Sequence, residues 1–121
     1  MSARRPHLLI IDDDADIRDV VALLFQHRGF EVDALADGID AVHLPKDYDV
    51  ILLDLNMPVF DGERLADYWS LTHPETLRRV IVLSGYSRFA RGRPLRAFAT
   101  VRKPFDTAEL VRVVERCVAG R

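Results

Sequence analysis

The chain has 121 residues, which suits one domain, and its hydrophobic content of 49% is enough for a buried core. Its formal net charge of −2, from 17 basic and 19 acidic side chains, excludes a global field that would draw it to nucleic acid or to a membrane. Cys117 is the single cysteine, which excludes an internal disulfide and a cysteine-based metal site, so a reducing cytoplasm is the simplest setting. The apolar run 8–11 is too short for a signal peptide or a membrane span.

Short apolar runs alternate with amphipathic stretches along the chain. Three runs are apolar at consecutive positions, which is typical of strands covered on both faces: 8–11, 50–53 and 80–83. Two weaker strands are predicted at 30–34 and 98–102. This alternation predicts an α/β fold, in which a doubly wound, five-stranded parallel sheet carries helices on both faces.

Helical patterns separate the predicted strands. The buried stripe of the first helix consists of Ile17, Val20, Val21, Leu24 and Phe25. A third helix is marked by the apolar residues Leu65, Tyr68 and Trp69. The buried stripe of the last helix consists of Leu110, Val113, Val114, Cys117 and Val118. The second helix should span 39–44 and end near Pro45, and the last should begin with Asp106 as its N-cap. The segment 86–97 contains Gly92 and Pro94, so a fourth helix there must be short or broken.

Polar side chains stand where the predicted strands end. Asp12 and Asp13 follow the first strand, Asp54 closes the third, Ser84 closes the fourth, and Lys103 follows the fifth. Ligands of parallel sheets bind beyond the carboxyl ends of the strands. If the first and third strands are neighbours, three carboxylates converge there, and a cation such as Mg²⁺ would offset their repulsion. A lysine and a hydroxyl on the other rim suit the oxygens of a phosphoryl group.

Each of these residues also has a structural interpretation. The acids 12–14 could cap the first helix, Ser84 could be an ordinary strand-end hydroxyl, and Lys103 could be a solvated surface charge. Asp54 is harder to explain structurally, because an acid that closes a fully apolar strand is costly unless it has a function.

Four motifs along the chain carry a family resemblance. They are Ile10-Ile11-Asp12-Asp13-Asp14, then Leu52-Leu53-Asp54-Leu55-Asn56-Met57-Pro58 with Asp61-Gly62, then Val82-Leu83-Ser84-Gly85, and Lys103-Pro104-Phe105. In this order they resemble the response-regulator receiver domains of bacterial two-component systems, over nearly the whole chain. The resemblance implies a single receiver domain over residues 1–121, with a flavodoxin-like fold and strand order 2-1-3-4-5.

The resemblance also implies roles for the acids. Asp54 matches the acceptor of a phosphoryl group that comes from a histidine kinase or a histidine phosphotransfer protein. Asp13 matches a direct Mg²⁺ ligand, and Asp12 matches the acid that holds the ion through water. Asn56 matches the residue whose backbone carbonyl binds the ion, and Asp54 itself is a further ligand. Such a domain is a signalling switch that catalyses only its own phosphorylation and dephosphorylation.

Ser84 and Lys103 match the residues that bind the phosphoryl oxygens, and the Lys103-Pro104 bond matches one that is cis in the family. One departure is Thr100, which stands three residues before the lysine where receivers usually have the Tyr or Phe of a rotating switch. The output movement is therefore expected in the segment from Gly85 to Arg96 instead.

Two other functions remain open at this point. A haloacid-dehalogenase-like phosphatase would use the same residue types, but it needs a second acid two positions after the nucleophile, where this chain has Asn56. A receiver-like binding module would never be phosphorylated. The arginine-rich stretch 88–102 is either a solvated face or a contact surface for an acidic partner protein or an output domain. The sequence fits a stand-alone regulator and a domain of a longer protein equally well.

Overall fold

In the computed structural model, residues 4–42, 48–55, 62–85 and 97–120 are described. Five strands form one parallel sheet in the order β2-β1-β3-β4-β5, as predicted. The strands are β1 (His7–Ile11), β2 (Glu31–Leu35), β3 (Val50–Asp54), β4 (Val80–Ser84) and β5 (Ala99–Arg102). Each bound lies within one residue of the sequence-based expectation.

The central strands are buried on both faces, since successive side chains of a strand point to opposite sides of the sheet. One face packs against helices α1 (Ala15–Gln26) and α4 (Thr107–Ala119), and its cluster includes Leu8, Ile10, Leu52, Phe25 and Leu110. The other face packs against α2 (Gly62–Thr72) and α3 (Pro74–Leu77), and its cluster includes Leu9, Ile11, Leu53, Leu65 and Trp69. The two covered faces are the doubly wound architecture that the apolar runs predict.

Helix α1 begins at an aspartate cap and buries a narrower stripe than predicted. The Asp14 carboxylate accepts hydrogen bonds from the backbone N–H groups of Asp16 and Ile17. Val21 and Phe25 are fully buried, whereas Val20 is 48% exposed. Val20 lies about 100° around the helix from Val21, and this rotation places it on the flank of the stripe rather than against the sheet.

The remaining helices agree with the sequence in part. Helix α4 begins at its Asp106 cap as predicted, and Leu110, Val114 and Cys117 are buried. The predicted helix over 39–44 is a 3₁₀ turn at Ile39–Ala41, and residues 43–47 lie outside the described part of the chain. The one-turn helix α3 was not predicted; it begins with Pro74, whose fixed φ suits the first helical position.

One expectation concerns a segment that the structure leaves almost entirely undescribed. The short or broken fourth helix falls on 86–97, of which only residue 97 is described. Membrane crossing can be judged for the described residues, and among these no helix is both long and apolar enough to span a bilayer.

Candidate functional site

The carboxyl ends of β1 and β3 bring three aspartates together. Asp12 and Asp13 follow β1, and Asp54 is the last residue of β3 beside it. Each of the three offers one carboxylate oxygen, and these oxygens lie within 4.8 Å of one another. Asp12 and Asp54 are buried, at 0% and 2% exposure, and Asp13 is exposed. The convergence predicted from the strand ends is therefore present.

Lys103 joins this cluster from the end of β5. Its Nζ lies 2.8 Å from Oδ2 of Asp12 and 3.4 Å from Oδ1 of Asp54. Burial lowers the pKa of Lys103, but the hydrogen bond and charge of Asp12, with those of Asp54, outweigh burial and leave this pKa raised. Lys103 is thus held as an ammonium ion between two buried carboxylates. Its peptide bond to Pro104 is cis, as expected.

Asp12 is fixed by hydrogen bonds at every polar atom. Its backbone N–H donates to the Leu35 carbonyl at 3.1 Å, and its Oδ1 accepts from the Asp14 N–H at 2.9 Å. Its Oδ2 accepts from Lys103, and its carbonyl oxygen accepts from Nη1 of Arg18 at 2.8 Å. A buried carboxylate that keeps this many partners has one geometry, so the site is preorganised.

Ser84 and Asn56 complete the predicted set. Ser84 is buried, at 5% exposure, at the end of β4, where its carbonyl accepts the Lys103 N–H at 2.8 Å. The register pairs Asp54 with Leu83, so Ser84 stands one position further toward the edge of the sheet that carries the acids. Asn56 lies outside the described residues, and its predicted carbonyl contact to a metal remains a prediction.

Two further residues contribute to this site through contacts that were not predicted from the sequence. Arg18 contacts the Asp12 backbone from helix α1, and nothing in its sequence position indicates this. Gly62 begins helix α2 against β3, where a Cβ atom would lie 2.3 Å from the Asp54 carbonyl oxygen. Gly62 belongs to the Asp61-Gly62 motif, but the motif alone does not indicate this close approach to the backbone of β3.

The donor set of the cluster fits a hard divalent cation. The three carboxylates and the Lys103 ammonium together carry a formal charge of −2. Both Asp12 oxygens already accept hydrogen bonds within the protein, whereas Asp13 is exposed. Oxygen ligands with space for water are those that Mg²⁺ prefers, so the residues present fit this ion.

Comparisons with known proteins agree with this arrangement. A family model described as "Response regulator receiver domain" matches residues 8–115. Regulatory protein AtoC of Escherichia coli (strain K12) is 34% identical over 92% of this chain, which spans 25% of that protein. Protein Rrf1 of Nitratidesulfovibrio vulgaris is 32% identical over 93% of this chain, which spans 82% of that protein.

A solved structure extends the comparison to three dimensions. The response regulator protein TrrA of Thermotoga maritima, solved in complex with Mg(2+)-BeF, superposes with a TM-score of 0.82 at 26% identity. The superposition covers 93% of this chain and 98% of that one. These matches give no support to a phosphatase or to a binding module that is never phosphorylated.

Proposed function

Because this chain belongs to the family of response-regulator receiver domains, we propose that its phosphorylation-dependent switch operates through Asp54 as the phosphoryl acceptor. The observation that carries the proposal is the junction of the acids with Lys103, whose Nζ contacts both Asp12 and Asp54. A signalling role of this kind is not that of an enzyme with a separate substrate. Self-catalysed phosphoryl transfer is part of the proposal.

Asp54 supplies the nucleophile. Its carboxylate is almost fully buried at the end of an apolar strand, where little water surrounds it and the attacking oxygen is held in place. One carboxylate oxygen forms the new O–P bond while the P–N bond of a donor phosphohistidine breaks. The leaving imidazole nitrogen keeps the electron pair of that bond and takes up a proton.

Lys103 and Ser84 hold the transferred group. The Lys103 ammonium lies 3.4 Å from Asp54 Oδ1, so it is placed to pair with an oxygen of a phosphoryl group on that carboxylate. The Ser84 hydroxyl, on the neighbouring strand, donates a hydrogen bond to another phosphoryl oxygen. Charge that develops on the phosphoryl oxygens is thus met by donors that are already in position.

Asp13, Asp54 and the Asn56 carbonyl are the proposed Mg²⁺ ligands, and Asp12 is proposed to act through water. When bound, Mg²⁺ offsets the negative charge of the incoming phosphoryl group. The carboxylate of Asp12 serves a second purpose, because its hydrogen bond to Lys103 holds the ammonium beside Asp54.

The proposed phosphoryl donor is a histidine kinase or a histidine phosphotransfer protein, and the proposed location is the cytoplasm. We further propose that the stretch 88–102 contacts an output domain or an acidic protein. Arg102 is the arginine of this stretch that lies among the described residues, and it is exposed. We also propose that residues 1–121 form a single receiver domain. This chain spans only a quarter of the length of AtoC.

Incubation with acetyl phosphate and Mg²⁺, followed by intact-mass measurement, tests the proposed function. The wild-type protein should gain one phosphoryl group, and it should gain none when EDTA removes the cation. Asp54→Asn should gain none under either condition, whereas Asp14→Asn, which alters only the helix cap, should behave as the wild type. Equal phosphorylation of Asp54→Asn and the wild type would refute the assignment.

A further inference from the structure

Arg18 makes a contact at the candidate site that the proposed chemistry does not use. It is the fourth residue of α1, and its half-buried side chain turns back toward the start of the helix, as helical side chains do. Nη1 donates to the backbone carbonyl oxygen of Asp12 at 2.8 Å. The contact therefore reaches the chain between the two adjacent acids rather than a carboxylate.

The carbonyl of Asp12 belongs to the peptide unit that leads into Asp13. A peptide unit is planar, so fixing its carbonyl oxygen also fixes the direction of the Asp13 N–H and limits the rotation of the Asp13 backbone. The Asp12 side of this unit is anchored by the bond from its N–H to Leu35. Asp13 itself is exposed, and it has no side-chain bond to another described residue that would orient it. Its carboxylate direction therefore depends on this peptide.

We propose that Arg18 is a positioning residue for the Mg²⁺ site: by holding the Asp12-Asp13 peptide, it aims the Asp13 carboxylate at the position of the ion. This inference rests on the proposed function, because it assumes that the three acids bind Mg²⁺. Arg18 does not touch the reacting atoms; it acts through the backbone of the acids.

The direction in which a substitution of Arg18 changes Mg²⁺ affinity separates a positioning role from a simple effect of charge. A guanidinium is a permanent cation, so its charge near three carboxylates opposes the binding of another cation. If charge were its main effect, removing Arg18 would tighten Mg²⁺ binding. If positioning dominates, removing it weakens binding, and groups that orient metal ligands typically account for 10–100-fold in affinity.

The test compares Arg18→Met, Arg18→Lys and Arg28→Met with the wild type. Arg28 lies just beyond the other end of α1 and pairs on the surface with Glu115 at 3.7 Å, so Arg28→Met is a matched loss of charge away from the acids. Mg²⁺ affinity is measured by calorimetry and by amide NMR shifts, and unfolding in urea is measured on the same samples.

We expect Arg18→Met to bind Mg²⁺ about tenfold more weakly, and Arg18→Lys, which keeps one donor, about threefold more weakly. Arg28→Met should bind as the wild type does. The rate of phosphorylation by acetyl phosphate should fall at limiting Mg²⁺ and recover at saturating Mg²⁺. A role confined to fold stability would shift urea unfolding without moving the affinity of the folded protein.

Unchanged or tighter Mg²⁺ binding by Arg18→Met, in a wild type that binds the ion, overturns this inference and leaves the proposed function intact. A wild type that binds no Mg²⁺ overturns both. If Arg18→Met does not fold, Arg18→Lys decides, because an affinity equal to that of the wild type overturns the positioning role.

Discussion

Replacing Gly62 by alanine places a methyl group against the backbone of the proposed phosphoryl acceptor. The new Cβ would lie 2.3 Å from the carbonyl oxygen of Asp54 and 2.8 Å from Cα of Leu55. Since Cβ atoms essentially never approach other heavy atoms within 3.0 Å, α2 and the end of β3 must separate by at least 3.0 − 2.3 = 0.7 Å. Both obstacles are backbone atoms, so no side-chain rotation relieves the clash.

Two effects of opposite sign decide the stability of Gly62→Ala. Alanine in a helix is favoured over glycine by roughly 0.5–1 kcal/mol, while overpacking of a close contact costs roughly 1–3 kcal/mol. The overlap with backbone puts the second effect in the upper part of its range. We therefore expect a net loss of about 1–2 kcal/mol in the free energy of unfolding. Phosphorylation should also slow, because the displaced peptide carries Asp54.

Urea unfolding followed by Trp69 fluorescence measures this loss. Trp69 is the single tryptophan, is fully buried and lies on the same helix α2, so it reports unfolding of this region. Gly120→Ala is the matched control, since a Cβ there would come no closer than 3.4 Å to a neighbour and its φ of −80° is ordinary. If Gly62→Ala is as stable as the wild type or more stable, the contact of this position with the Asp54 backbone does not limit stability.

Tyr48, Lys103 and the segment 84–97 each offer a further test. Burial raises the pKa of Tyr48 well above its ordinary 10.0, and the hydrogen bond to Asp33 and the charge of Asp33 raise it further. The neutral Tyr48 hydroxyl therefore contributes fully to the free energy of unfolding below pH 10, and this contribution is lost as the pH rises further. In urea titrations, Tyr48→Phe should lose about 1 kcal/mol of unfolding free energy at neutral pH and show a shallower alkaline decline, and an identical decline would contradict the assignment. Lys103→Met should bind Mg²⁺ more tightly, because a competing cation is gone. Its phosphorylation by acetyl phosphate should nevertheless be about a hundredfold slower than that of the wild type, and an unaltered rate would exclude Lys103 from the mechanism. With beryllium fluoride, hydrogen exchange should change most within 84–97, because Thr100 is too small to act as a rotating switch; a change confined to α1 would exclude this output route.

Most of the fold could be predicted because its signals are local. Consecutive apolar residues at 8–11, 50–53 and 80–83 specify strands with both faces covered, and the Asp106 cap specifies where α4 begins. How deeply each helical side chain is buried depends less on the local sequence. Val20 fits the helical period, but it lies on the flank of the buried stripe and is 48% exposed, because burial depends on how α1 is oriented against the sheet.

The candidate site was predictable to the level of its residue types. Asp54 and Ser84 end strands, whereas Asp12, Asp13 and Lys103 follow strands within two residues. Parallel topology brings these strand ends together. Contacts that depend on three-dimensional distance were not predictable. The bond from Arg18 to a backbone carbonyl and the fit of Gly62 against Asp54 leave no pattern in the spacing of residues.

The proposal that the carboxylate of Asp54 carries the phosphoryl group can be tested by chemical trapping. The protein is phosphorylated with acetyl phosphate and Mg²⁺, the acyl phosphate is reduced with borohydride, and the reduced residue is located by fragment mass spectrometry. We expect reduction at Asp54 alone, at the end of β3, with Asp12 and Asp13 unmodified. Reduction at Asp12 or Asp13, or a phosphoryl group that resists borohydride because it lies on Ser84, would contradict it.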